Sequence, residues 1–510
     1  MKNKLIYLFP SLVSGTALVF CFPTFNVGPL AFVALVPFLV SLCGRSSRGA
    51  FVSGVFMGLP YFFGANYWVY NSISKYGGVD IFTTFLIVFV LSLYLSLYVG
   101  VFGWLYVSRI KNTSLPAMLI APVLWVVIEY VRSIALTGLP YSLIGYTQHE
   151  FLRFIQISDI TGAYGVSFLV LAVNGAIADL FILKKRVDEK PLFHMSPTLI
   201  GYLVLLIVLS ANLLYGTHRL NEPKSPSSLN AVIIQPNIEQ DMKWDPANQE
   251  EVMDTLETLT REAIVNGTDI VIWPETAIPF YYIRDEQNTR RLRSFVRSID
   301  TPLLTGAITV NESKEGKITL GNSSVLLDRK GKEAFRYDKI HLVPFGEYVP
   351  WKSLLGFIDR LVVGIGDYRP GNNLSSANLD GKRFSSIICY EVAFPSLVRK
   401  FFKNDSDFLV IMTNDAWFGR TTGPYHHFAM SVFRAIENRK PVLRAANTGI
   451  SGVIDSFGRV QAKTPIFTRT VLMESISTDN IRSFYSRFGD LFIYLCSIIT
   501  IILMADLRRK

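Results

Sequence analysis

Eight apolar segments, at 5–22, 28–43, 50–70, 81–107, 116–133, 163–183, 197–215 and 488–507, punctuate this chain of 510 residues. All but the short second one are long enough to cross the ~30 Å hydrocarbon layer of a bilayer as helices. Lipid offers no hydrogen-bond partners, so such segments must satisfy their own backbone groups, and a chain built on them is confined to helices there. No small-residue cleavage site follows the first segment, and Phe22-Pro23 is a poor one, so it is read as a retained helix rather than a signal peptide. Between the seventh and eighth lies one long stretch of soluble composition, 217–487, opened by the polar linker Asn221, Glu222, Pro223, Lys224, Ser225, Pro226, Ser227, Ser228. The expected organisation is a seven-helix membrane domain at 1–216, a soluble domain at 217–487, and an eighth helix with its tail at 488–510.

Charge placement orients this arrangement. The net charge is +10, but the basic residues gather at the ends of apolar runs. With the N-terminus in the cytoplasm, Lys2, Lys4, Arg45, Arg48, Arg109, Lys111, Lys184, Lys185, Arg186, Lys190, Arg508, Arg509 and Lys510 face inward, and the short outward loops carry Lys75, Arg132 and Arg153. That asymmetry is the positive-inside pattern, with both termini cytoplasmic and 217–487 outside. A nucleic-acid partner is not expected, since no basic stripe interleaved with aromatics occurs. A mean hydropathy of +0.33 and 13% aromatics suit a protein that meets lipid.

Within the soluble stretch, β-rich runs at 231–235, 270–273, 303–310, 323–327, 384–389, 408–413 and 452–454 alternate with helical patterns at 249–265, 289–299, 395–402 and 426–439. This alternation predicts α/β layers packed on sheet faces. The runs at 270–273 and 384–389 are nearly all apolar, as central strands are, and each ends directly on a chemically capable residue. One is followed by Glu275, in Trp273-Pro274-Glu275; the other ends on Cys389, in Ile387-Ile388-Cys389-Tyr390-Glu391.

Cys21, Cys43 and Cys496 fall in the apolar segments, so Cys389 has no obvious disulfide partner in an oxidising compartment. A thiol needs deprotonation to attack, and Glu275 suits that task. Lys339, in Asp338-Lys339-Ile340-His341, can stabilise an oxyanion, with the Tyr390 N–H as a further donor and Glu347 holding the ammonium in place. The bland alternatives stand beside this. A lone cysteine also serves as a small core hydrophobe, and Glu275 and Lys339 could be strand-end surface charges. Trp273 and Trp417 could fill core space, and Asn414-Asp415 could cap a turn. No metal site is expected, because the six histidines show no ligand spacing and His426-His427, as helix neighbours, point apart.

Three blocks together resemble the Glu-Lys-Cys signature of the nitrilase, or carbon–nitrogen hydrolase, superfamily. They are Trp273 to Pro279, Lys339 to Pro350 through His341-Leu342-Val343-Pro344-Phe345-Gly346-Glu347, and Ile388-Cys389-Tyr390-Glu391. Gln235-Pro236-Asn237-Ile238, Lys243-Trp244, Thr413 to Gly419, and, in the apolar part, Leu124-Trp125, Glu129, Arg132 and Gly138-Leu139-Pro140-Tyr141 extend the likeness to the apolipoprotein N-acyltransferase family. Where that family often has Phe-Pro-Trp, this chain has Leu139-Pro140-Tyr141. The resemblance implies an αββα sandwich inserted between membrane helices seven and eight. It also implies Glu275 as base, Lys339 as oxyanion stabiliser and Cys389 as nucleophile, with Glu347, Tyr390 and Glu391 in support and Trp244, Asn322 and Trp417 around the substrate.

The implied reaction moves an acyl chain from a membrane phospholipid, through a thioester on Cys389, to the N-terminal amine of a diacylglyceryl apolipoprotein. It uses no cofactor, and the implied location is the bacterial inner membrane with the soluble domain in the periplasm. A membrane-anchored amidase, in which water resolves the acyl-enzyme, shares all these residues. A transporter or receptor would instead want paired charges facing a membrane cavity, where only Glu129 and Asp179 are candidates. The apolar segment 350–366 is expected to be either a lid dipping into lipid or a buried core helix.

Overall fold

The computed structural model describes residues 2–110, 115–187, 195–223, 225–312, 318–350, 368–404, 406–478 and 481–505. The apolar segment 350–366 lies outside them apart from Pro350. The chain forms two compact units, one of residues 1–70, 81–222 and 488–510, the other of residues 71–80 and 223–487.

The first unit is helical. Among the described residues, four helices are long and apolar enough to cross a membrane, at Ile81–Ile110, Ala117–Thr137, Ala163–Ile182 and Thr198–Leu220, and Tyr7–Cys21, Gly28–Leu42 and Leu491–Ala505 are shorter apolar helical stretches. The predicted span 28–43 departs from a single helix: Gly28–Phe32 is a 3-10 turn and Val36–Leu42 a short α-helix, each with a proline at its start. Asn174 satisfies the backbone at this break, accepting from Leu35 N at 2.8 Å and donating to the Ala31 carbonyl at 2.8 Å. Such substitution for lost helix bonds is what an apolar surrounding demands.

The two acidic residues that a transporter would need are bound to backbone. Glu129 accepts from Ile144 N at 2.9 Å, and Asp179 accepts from Ala117 N and Met118 N at 2.8 and 3.0 Å, capping the helix that starts there. Tyr141, the residue that differs from the family pattern, is buried with its ring 5.2 Å from that of Trp68. Its carbonyl accepts from Arg132 at 2.7 Å. An aromatic body of this size keeps the packing contact.

The second unit is a sandwich of two sheets. The first contains β1 (Leu229–Gln235), β2 (Ile270–Ile272), β3 (Tyr281–Tyr282), β4 (Leu303–Glu312), β5 (Ile318–Leu327), β6 (Glu333–Asp338) and β13 (Thr470–Ile476), in the order β13-β1-β2-β4-β5-β6 with β3 beside β4. The second contains β7 (Ala377–Leu379), β8 (Lys382–Ile388), β9 (Phe408–Thr413), β10 (Val442–Ala446), β11 (Gly452–Ile454) and β12 (Val460–Lys463), in the order β12-β11-β10-β9-β8-β7. Strands β1, β2 and β4 run parallel, as do β8, β9 and β10.

Side chains alternate across these strands with the period of two that a pleated strand imposes. Phe384, Phe408, Val410 and Met412 of the second sheet pack against Ile233, Ile270, Ile272 and Leu304 of the first, forming the core between the sheets. On the other face of the first sheet, Val232, Val271 and Trp273 meet Val252, Met253 and Leu256 of the helix Gln249–Ala263, and Leu292, Phe295 and Val296 of the helix Glu286–Ile299. Trp273 is a core residue, its Nε1 donating to Thr260 Oγ1 at 2.9 Å. The helices Pro395–Phe401 and Gly423–Asn438 belong to the second sheet's outer layer. The layers are thus αββα, and the segment 71–80 joins this unit although it falls between membrane-type helices in the chain.

Candidate active site

The site is built from residues just beyond strand ends, where backbone donors and acceptors leave the ladder. Glu275 follows β2, Lys339 follows β6, Cys389 follows β8 and Asn414 follows β9. Glu275, Lys339 and Cys389 are 6%, 1% and 7% exposed, so all three polar groups are buried.

Lys339 Nζ lies 2.9 Å from Glu347 Oε1 and 3.6 Å from Glu275 Oε1. Asn322 on β5 donates through one Nδ2 to both carboxylates, 2.8 Å from Glu275 Oε1 and 2.8 Å from Glu347 Oε1. The remaining Glu275 oxygen accepts the Asn414 backbone N–H at 2.8 Å, and the remaining Glu347 oxygen accepts Val343 N at 2.8 Å. Each carboxylate oxygen has a second lone pair, so these bonds orient Glu275 without using up its capacity to take a proton.

Electrostatics separate the roles. Burial alone would lower the Lys339 ammonium, but Glu347 and then Glu275 outweigh it and hold the group above its ordinary value, protonated. Burial, and then the neighbouring Glu275 charge, push the Cys389 thiol well up, against the opposing pull of Lys339 and a hydrogen bond with Thr413. The resting sulfur is therefore a neutral thiol, and attack requires its proton to leave as the new bond forms.

Cys389 adopts a left-handed backbone with φ 51°, an uncommon conformation for a residue with a Cβ and one that persists where surroundings hold it. Glu391 supplies part of that hold. Fully buried, it accepts Ile388 N at 2.7 Å on one oxygen, and Tyr337 Oη, Ile340 N and His341 N at 2.6, 2.8 and 3.1 Å on the other. One carboxylate thereby ties the strand that delivers Cys389 to the loop that delivers Lys339. Burial raises Glu391 above the ordinary carboxylate range, while Tyr337 and the backbone donors pull against it.

The turn carrying Glu275 is fixed from beneath by two residues. Lys243, 1% exposed, donates to the Glu275 carbonyl at 3.0 Å and to Thr276 Oγ1 at 2.8 Å. Gly306 on β4 allows the turn to lie against the sheet: a Cβ there would sit 2.4 Å from Thr276 N, 2.5 Å from the Pro274 carbonyl and 2.7 Å from Glu275 Cα.

The residues expected around the substrate are placed differently from one another. Asn322 is in the buried cluster. Trp244 and Trp417 are each 38% exposed, Trp244 beside Tyr281 with ring centroids 5.8 Å apart and Trp417 edge-on to Tyr76 at 5.0 Å. The Trp417 carbonyl accepts from Asn71 Nδ2 and Ser72 Oγ, both at 2.9 Å. Tyr390 is buried, 5.0 Å from the Phe394 ring and 5.6 Å from that of His341.

Sequence reasoning passed over Gly306, gave Tyr337, Thr413, Lys243 and His427 no role in the site, and left Asn414-Asp415 open between a turn cap and a site element. Asn414 follows β9 as Cys389 follows β8, which was a usable signal. Its contribution to Glu275 is through backbone, which no residue type announces. Among the described residues no cluster of three or more histidine, cysteine or acidic side chains is arranged to hold a metal ion.

The αββα sandwich is that of the carbon–nitrogen hydrolase class, and the Carbon-nitrogen hydrolase family model matches residues 231–485. The model for the Apolipoprotein N-acyltransferase N-terminal domain matches residues 14–176. An apolipoprotein N-acyltransferase of Geobacter metallireducens is 39% identical over 488 residues, covering 95% of this chain and 92% of that protein. One from Haemophilus ducreyi is 32% identical over 520 residues, covering 98% and 99%. The solved structure of Saccharomyces cerevisiae Nit3, a member of branch 10 of the nitrilase superfamily, is 17% identical and covers 50% of this chain and 93% of its own, with a TM-score of 0.39. The chain belongs to the apolipoprotein N-acyltransferase family. It is an acyltransferase-family protein with membrane-type helices and a nitrilase-like α/β domain.

Proposed function

We propose that this protein completes lipoprotein maturation by N-acylation in two half-reactions at one site. Glu275 takes the Cys389 proton as the sulfur attacks the ester carbonyl of a membrane phospholipid. Lys339, held protonated by Glu347, faces the oxyanion. Collapse of the intermediate expels lysophospholipid, whose departing alkoxide receives the proton from Glu275, and leaves a thioester. The free amine of a diacylglyceryl-cysteine then attacks the thioester, Glu275 takes the amine proton, and an amide forms as the thiol is restored. Thioester-to-amide conversion is downhill, so no nucleotide is required. Two substrates that share one covalent intermediate predict ping-pong kinetics.

The observation that carries this reading is the convergence of Glu275 and Lys339, 3.6 Å apart, on a thiol that feels both charges. In this reading the soluble domain is inserted between the seventh and eighth of eight membrane spans. It lies in the periplasm, and both termini are in the cytoplasm of a bacterial inner membrane. Trp244 and Trp417 line the approach of the substrates, both of them lipid-anchored, which favours a multi-span anchor over a single tether.

The test is reconstitution of the full chain in vesicles with acyl-labelled phospholipid and a diacylglyceryl lipopeptide. The lipopeptide should gain one acyl chain as amide, with equimolar lysophospholipid, and Cys389→Ala should abolish both. Acyl transfer persisting in that variant, or release of the label only as free fatty acid, contradicts the proposal, the second outcome marking the chain as a hydrolase.

A further inference from the structure

A second buried ionic cluster, composed of other residues, touches the backbone of Cys389. His427 on the helix Gly423–Asn438, Asp415 beyond β9 and Arg444 on β10 are all fully buried. His427 Nδ1 is 2.9 Å from Asp415 Oδ1 and 2.9 Å from Arg444 Nη2, and Arg444 Nη2 also donates to Asp415 Oδ2 at 2.9 Å. Arg444 Nε donates to the Ile450 carbonyl at 3.1 Å, and Thr413 Oγ1 to Asp415 Oδ1 at 2.7 Å. Gly449 leaves room for this closure, since a Cβ there would be 2.2 Å from Asp415 Oδ2. Arg444 and His427 outweigh burial and hold the Asp415 carboxyl down at about 2, so it is charged at any working pH.

The other ring nitrogen faces the reaction. His427 Nε2 is 3.0 Å from the Cys389 carbonyl oxygen. A carbonyl only accepts, so Nε2 carries the hydrogen and donates. In a trans peptide the C=O and the following N–H point in opposite directions. A bond that draws the Cys389 carbonyl toward His427 therefore turns the Tyr390 N–H away from it. Cys389 with φ 51° is a residue whose peptide orientation needs such a hold.

We propose that His427, itself fixed by Asp415 and Arg444, is a positioning residue that locks the Cys389–Tyr390 peptide so that the Tyr390 N–H joins Lys339 as an oxyanion donor. This rests on Cys389 being the nucleophile. The Thr413 contact extends the same cluster to the sulfur, so backbone and thiol are aligned by one buried unit.

The test compares His427→Gln with His427→Asn in the full chain. A glutamine amide reaches the Nε2 position and can still donate to Cys389; an asparagine amide reaches only the Nδ1 position. Two rates are read at Cys389 by mass spectrometry: acylation by phospholipid and alkylation by iodoacetamide, which displaces iodide at a saturated carbon and develops no oxyanion. The expected result is acylation ~100-fold slower in H427N and within ~10-fold of wild type in H427Q, the loss typical of one missing oxyanion donor. Alkylation should stay within about twofold of wild type in both, because thiol and base are intact. Equal acylation by the two variants overturns the proposal, as does a fall in alkylation that matches the fall in acylation, which reduces His427 to a structural role. Wild-type protein that forms no acyl-Cys389 fails at the earlier step and refutes the nucleophile assignment on which the proposal stands.

Discussion

Lys339 Nζ and Glu347 Oε1 form a buried ion pair at 2.9 Å, shorter than the 3.6 Å between the same ammonium and Glu275. The pairing gives the ammonium its own counter-charge and leaves Glu275 the carboxylate that can accept a proton. Replacing Glu347 by glutamine removes that counter-charge and leaves Lys339 to pair with Glu275. Glu347→Gln is expected to slow Cys389 acylation by about 100-fold, within the range general-base catalysis contributes. Single-turnover formation of acyl-Cys389 measures this directly.

The turn that carries Glu275 and β4 are in backbone contact at Gly306. A methyl group there would lie 2.4 to 2.7 Å from three backbone atoms of residues 274–276, none of which can rotate aside. Gly306→Ala should displace Glu275 and lower acylation by ~100-fold, as misplacement on the ångström scale does. Iodoacetamide labelling of Cys389 needs the same proton acceptor and should slow with it.

Glu391 has four donors aimed at its two oxygens. A glutamine amide would turn an NH2 group toward donors. Glu391→Gln is expected to cost about 3 kcal/mol of stability, the range for disrupting a buried charged acceptor. The unfolding midpoint measured by heat or by denaturant reports it, and an unchanged midpoint contradicts the buried network.

Lys243 gives a pH signature. Burial lowers its ammonium from 10.5 to about 7, with Glu275 opposing. Between those values the unfolded chain binds a proton that the folded one does not, so this group makes stability rise with pH across that window. Lys243→Met removes the slope. Melting temperatures of wild type and K243M from pH 6 to pH 10 should converge or cross in favour of wild type as pH rises. Parallel curves contradict the lowered value.

Much of the sandwich was legible because its central strands are continuously apolar. The runs at 408–413 and 452–454 coincide with β9 and β11, and Glu275 and Cys389 were found by standing at the ends of such runs. Strand β12 escaped notice because three of its four residues are exposed, and β6 because only one of its six is fully buried, so neither carries the apolar run that betrays a strand. The break inside 28–43 was signalled by Pro29 and Pro37, but the partner that makes it tolerable, Asn174, is distant in the chain. The same limit hid residues 71–80, whose bonds to the Trp417 carbonyl span some 345 residues. His427 was weighed only as a metal ligand and set aside; its contact with the Cys389 carbonyl comes from another element 38 residues away, which no local pattern announces.

The most direct measurement of the central claim is intact-protein mass spectrometry of the full chain exposed to phospholipid without acceptor, then given a diacylglyceryl lipopeptide. One acyl chain should accumulate on Cys389 as a hydroxylamine-sensitive thioester, with equimolar lysophospholipid, and should then leave as an amide on the lipopeptide amine. No adduct at Cys389, or an adduct that the lipopeptide fails to discharge, would contradict the account.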